Sequence, residues 1–188
     1  MSDLQFDFVV YLGDPDDGAD AVSSRDALQN AASYRSRLAW PDVYGRVVVR
    51  ENGADLLNHR PDPLFSLVVG LVKALPYVID GEPENAILTE AEQGFSIAPA
   101  GKDVLVSFFS GDPYEPEEFL LEPQTVPLGS FGSQILDMGK RLRDLMKACD
   151  PQVFERDDYS KSLLQFLEDG EERFKKYQLR LERGLRVE

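Results

Sequence analysis

The run Leu64-Phe65-Ser66-Leu67-Val68-Val69-Gly70-Leu71-Val72-Lys73-Ala74-Leu75 constrains the fold more than any other stretch of this chain. Asp62-Pro63 precedes it. Aspartate can cap free amides, and proline has no amide to leave unpaired at a first helical position, so this pair predicts a helix start. The helix is expected to reach about Leu75 and to end near Pro76. Its apolar side chains fall on nearly every face, and such a helix is stable only when other elements surround it. It is much shorter than the roughly 20 residues that span a bilayer, and Lys73 interrupts it, so no membrane span is expected.

The flanking segments supply what could surround it. Gln5 to Leu12 is rich in Phe and Val and reads as a first strand, ended by Gly13-Asp14-Pro15-Asp16-Asp17-Gly18. A short helix is expected from Ser23 or Ser24 to about Leu38, closed by Trp40-Pro41. Arg46 to Arg50 and Asp55 to Asn58 flank Asn52-Gly53, a dipeptide that readily takes the positive φ angles of a tight turn, so they predict a hairpin. After the central helix, strand-like runs at Ala86 to Thr89, Phe95 to Ala98, Val104 to Phe109 and Phe119 to Glu122 alternate with turn residues, the pattern of an antiparallel meander.

A helix starting at Gly129 or Ser130 carries Ile135, Leu136, Met138, Leu142, Leu145 and Met146 on one face, and Asp150-Pro151 breaks it. Asp157 or Asp158 caps a last helix with Tyr159, Leu163, Phe166, Leu167, Gly170, Phe174, Tyr177, Leu181 and Leu185 at helical spacing. The expected order is β-α-β-β-α-β-β-β-β-α-α, an α+β fold with helices packed on one face of a largely antiparallel sheet. Residues 1–156 read as a single domain, with 157–188 either packed on it or used as an interaction arm through which copies could associate.

Charge narrows the function classes. The chain has 34 acidic and 20 basic side chains, a formal net charge of −14. Nucleic-acid binding depends on Lys and Arg neutralising phosphates, so it is disfavoured. The charge is segmental: residues 61–139 carry −11 and residues 1–20 carry −6, while the two remaining blocks are slightly positive. The amino terminus shows neither a basic stretch nor a small-residue cleavage site, so a cytoplasmic location is expected.

Catalytic chemistry has few carriers. The one cysteine, Cys149, excludes an internal disulfide and any zinc site of paired cysteines, and beside Asp150 it reads as a small buried hydrophobe. The one histidine, His59, could act as a base oriented by Asp55 or Asp62, but no serine or cysteine in a glycine-flanked elbow accompanies it, which favours a surface or capping role. Lys73 could be a desolvated amine, although such a lysine more often keeps its ammonium in water. Asp14 to Asp20 resembles a cation loop in composition only: twelve-residue calcium spacing would want glycine at 19 and glutamate at 25, where the chain has Ala19 and Arg25. Gly129-Ser130-Phe131-Gly132-Ser133 lacks the lysine of a phosphate-binding loop and reads as a helix start. No motif calls for a cofactor or a metal.

The feature that stands out is Asp112-Pro113-Tyr114-Glu115-Pro116-Glu117-Glu118, an acidic turn in which prolines limit flexibility, tyrosine offers contact area and the carboxylates steer a basic partner. Glu82 and Glu84, in Asp80-Gly81-Glu82-Pro83-Glu84, could extend it into one acidic face. The bland alternative is a solvated loop that aids solubility and blunts a sheet edge. The expectation is a non-catalytic binding protein for a basic protein partner, in its sharpest form an immunity or inhibitor protein that neutralises a toxin. The alternatives are a carboxylate- or metal-dependent enzyme, and an assembly subunit joined through the last helix.

Overall fold

In the computed structural model, which describes residues 4–38, 43–57 and 59–183, the elements run β1 (Leu4–Leu12), β2 (Asp20–Ser23), α1 (Ser24–Gln29), α2 (Ala31–Tyr34), β3 (Tyr44–Glu51), β4 (Ala54–Asp55) and β5 (Asp62–Pro63). They continue as α3 (Leu64–Ile79), β6 (Glu84–Ile87), β7 (Gln93–Ala100), β8 (Asp103–Gly111), β9 (Pro116–Pro127), α4 (Leu128–Cys149), α5 (Val153–Arg156) and α6 (Asp158–Glu182). The fold is α+β with antiparallel strand pairing throughout, and its strands form two sheets rather than one.

The first sheet has the order β2-β1-β3-β4, with β5 added against the start of β3. Leu4, Phe6, Phe8, Val10 and Leu12 point inward from β1 at the strand period of two. The β3-β4 hairpin turns on Asn52 and Gly53, whose φ angles of 51° and 82° are those Asn-Gly was expected to supply. The hairpin's far end at Asn58, the helix closure at Trp40-Pro41 and Leu185 lie outside the described residues. The helix expected from Ser23 or Ser24 to Leu38 is shorter: Ser23 caps α1, and Asn30 separates it from α2. β2, a strand the periodicity did not announce, pairs with Val9 to Leu12, and among the described residues the β1 edge at Leu4–Phe8 has no strand neighbour. The Gln134 side chain of α4 takes that place, accepting the Phe6 amide at 2.7 Å and donating to the Leu4 carbonyl at 3.1 Å.

The second sheet is the expected meander, β6-β7-β8-β9. Its inward face carries Ala86, Phe95, Ile97, Val104, Val106, Phe108, Leu121 and Val126 into the core. There α3 packs against β6 and β7, and α4 against β8 and β9.

Two expectations about α3 are corrected. The helix starts after Pro63 with no side-chain cap, because Asp62 and Pro63 pair with Gly45 and Tyr44 as β5 and the Asp62 carboxylate is used elsewhere. It also continues through Pro76 to Ile79. An interior proline costs about 3 kcal/mol, but burying a Val or Ile side chain returns about 1.5–3 kcal/mol each, so Val78 and Ile79 together offset the missing bond.

Around α3, α4 and α6 form a close helical layer. Asp157 caps α6, as expected, by accepting the Tyr159 and Ser160 amides at 3.3 and 2.9 Å. Leu163, Leu167, Phe174 and Tyr177 bury one face of α6, while Leu179 and Leu181 stay exposed. Gly139 is what lets these helices approach: a Cβ there would sit 2.7 Å from Val72 Cγ2 and 2.9 Å from Leu167 Cδ2. Among the described residues no helix is long and apolar enough to cross a membrane.

Candidate functional site

The acidic turn between β8 and β9 is held by its own first residue. Asp112 Oδ1 accepts the Tyr114 amide at 2.7 Å and the Asp112 carbonyl accepts that of Glu115 at 3.2 Å, which fixes a tight polar turn. Gly111 before it has φ 93° and passes so close to Glu117 that a Cβ would lie 2.7 Å from Glu117 Cγ, so only glycine fits. Its amide donates to the Glu92 carbonyl at 2.7 Å, tying this turn to the β6-β7 turn.

That neighbouring turn is anchored from the first sheet. Asp62, buried in β5, accepts the Thr89 amide on Oδ1 at 2.9 Å and the Glu90 amide on Oδ2 at 2.8 Å. The Tyr44 hydroxyl donates to Glu90 Oε1 at 2.7 Å. Two acid-bearing turns therefore share one end of the second sheet. They present Glu90, Glu92, Asp112, Glu115, Glu117 and Glu118, all exposed, with Tyr114 87% exposed at the tip. Among the described residues none of these six carboxylates forms an ion pair, whereas Asp7, Asp20, Asp55, Asp137, Asp144, Asp150, Asp158, Asp169, Glu171 and Glu172 elsewhere all do.

The register separates this end from the 80–84 segment. Glu84 lies opposite Ile97 on the outer strand β6, whereas the acidic turns lie beyond Gln93, four residues further along β7, or about 13 Å. Charges at that distance across an exposed surface are largely screened. Asp80 is ion-paired with Arg173, and Glu84 has Lys73 Nζ at 3.8 Å. Asp112, Tyr114, Glu115, Glu117 and Glu118 are thus brought together, Glu82 and Glu84 lie apart, and Glu90 and Glu92 join the group. Chain distance hid those two: they sit some twenty residues from the 112–118 turn and only the meander makes them neighbours.

The single histidine is interior. Both His59 ring nitrogens face backbone carbonyls, Nδ1 that of Arg60 at 2.7 Å and Nε2 that of Val47 at 3.0 Å, and the ring packs on Phe108. Burial lowers its pKa below the ordinary histidine value despite these two acceptors. Burial likewise raises the Cys149 thiol, leaving it a poor nucleophile. Lys73, ion-paired with Glu84, keeps its ammonium near the surface, 5.8 Å from the Tyr77 ring centre.

The chain matches no family model, no curated protein and no solved structure.

Among the described residues, two clefts are lined by neither histidine nor cysteine. One, of about 840 Å³, is lined by Asp14, Asp16, Arg37, Tyr44, Arg60 and Glu90 among others, a mixture of opposite charges without histidine or cysteine. The other, of about 400 Å³, lies between α3 and the start of α6 beside Phe65, Met146 and Tyr159. Among the described residues no three His, Cys, Asp or Glu side chains are grouped to hold a metal ion, and the Asp14 carboxylate is occupied by the Asp16 amide.

Proposed function

We propose that this protein is a binding module that docks a basic protein surface through the acidic end of its second sheet. The observation that carries the reading is the group of six exposed carboxylates, free of ion pairs among the described residues, around a protruding Tyr114 on turns fixed by Asp112, Gly111 and Asp62. Acids serving only solubility need no such anchoring, whereas a steering field works best when the charges are held together and unneutralised. A rigid tyrosine adds contact area at low entropy cost. The sharper form of the reading is an inhibitor of immunity type, whose acidic end covers the basic active site of a toxin or nuclease.

The test uses the full chain as bait in lysate of its native host beside Glu115→Gln/Glu117→Gln/Glu118→Gln. The reading expects a basic protein captured by the parent chain. It also expects an association rate that falls about tenfold or more in the triple variant and steeply with salt. Capture and rates that neither salt nor the three substitutions change would overturn it.

A further inference from the structure

The outward face of the second sheet, next to the acidic end, is apolar where a solvated sheet face is polar. In the ladder, Ile87 lies opposite Gly94, Gly94 opposite Phe109, and Phe109 opposite Phe119. Gly94 has no side chain, and the Ile87 side chain lies over it, with Cδ1 2.8 Å from where a Cβ would stand. Phe109 is fully buried in this row, while Ile87 and Phe119 at its two ends are 42% and 40% exposed. The row crosses four strands, about 14 Å at ordinary strand spacing. Leu105, 38% exposed, lies on the same face four residues back along β8, beyond the polar Ser96–Ser107 pair that bounds the apolar row. The very next residues along these strands open the turns that bear Glu90, Glu92, Asp112 and Glu115.

We infer that Ile87 and Phe119, with Phe109 between them, form the apolar half of the docking surface, so that the partner is a cationic amphipathic segment laid across this row with its basic side chains on the acidic rim. This rests on the proposed binding function and specifies its partner. Charge selects the occupant. A second copy of this chain would bring two unneutralised acidic rims together on molecules of net charge −14, which disfavours it. An added strand along β9 meets Pro116, Pro123 and Pro127 and the register shifts between Val106 and Gly111, which spoil a continuous edge. An apolar core inside a charged rim is also the usual layout of a protein interface.

Two synthetic helical peptides of equal lysine content test the inference by calorimetry, one with a leucine stripe and one with serine in its place. The full chain should bind the leucine peptide about tenfold or more tighter. Ile87→Ser/Phe119→Ser, compared at a temperature below its own melting transition, should bring the two affinities together. Amide shifts of the unmutated chain with the leucine peptide should centre on Ile87, Gly94, Phe109 and Phe119, which keeps the test independent of how the variant folds. An affinity ratio near one in the unmutated chain, a ratio indifferent to the two serines, or shifts confined to the β9 edge overturns the inference. The Glu115→Gln/Glu117→Gln/Glu118→Gln chain separates the two levels: if it binds both peptides as tightly as the parent, the acidic docking reading fails, whereas weakened binding with no leucine preference removes only the apolar half.

Discussion

Asp62 shows how one side chain can carry two obligations that sequence reasoning assigns differently. An aspartate before Pro63 and an apolar run reads as a helix cap, yet its carboxylate accepts two amides 27 and 28 residues away and holds the turn bearing Glu90. Removing the acceptor leaves two partly buried donors unpaired at about 1–3 kcal/mol each, so Asp62→Ala should lower stability by about 2–6 kcal/mol in denaturant unfolding and speed hydrogen exchange at Thr89 and Glu90. His59 carries a pH signature. A neutral imidazole has one N–H, so it can donate to only one of the two carbonyls it faces, while burial holds its pKa below 6.5. The unfolded chain therefore binds the proton first as pH falls, and stability should decline from about pH 6.5 downward. His59→Gln, less stable overall, should show a flatter melting temperature between pH 7 and 5.5. Neither role was legible, because a long-range partner leaves no local pattern and a lone histidine beside Arg60-Pro61 looks like a surface residue.

Elements with a strong local period were legible, and those made by tertiary contacts were not. β1, the β3-β4 hairpin, the β6-β9 meander, α4 and the Asp157 cap follow from alternation, Asn-Gly, turn spacing, helical spacing and a capping residue. β2 and β5 are two to four residues long and exist because β1 and β3 offer free edges, which no window of sequence reports. Pro76 misled in the other direction: propensity ends the helix there, and burial of Val78 and Ile79 carries it on. The acidic turn was legible as composition, its union with Glu90 and Glu92 was not, and the outward row of Ile87 and Phe119 was hidden because a register shift in β9 sets Phe109 opposite Phe119. At this scale the helix layer makes a sharp prediction. In Gly132→Ala the new methyl meets the Phe174 ring, whose nearest atom stands 2.5 Å away. Alanine's higher helix propensity returns at most about 1 kcal/mol, so the variant should still unfold at lower denaturant, by about 1–2 kcal/mol.

For the whole molecule, α6 closes the core rather than standing off from it. Leu163, Leu167, Phe174 and Tyr177 cover α3 and α4, so a chain ending at Asp157 should lose its cooperative melt and expose apolar surface to a hydrophobic dye. The charge layout divides labour across the molecule: bases neutralise acids over the helical side, while the far end of the second sheet keeps its field intact. The first sheet has its own exposure to manage at Leu4–Phe8 of β1, where Gln134 stands in for a missing strand with one acceptor and one donor. That amide side chain satisfies two backbone groups of an edge on which α4 also packs. Gln134→Ala removes both bonds and the bulk that covers them, freeing the Phe6 amide and the Leu4 carbonyl as a template. Such a chain should form concentration-dependent oligomers in light scattering under conditions where the parent does not, which makes Gln134 a guard against self-recruitment in a protein whose proposed work is to recruit something else.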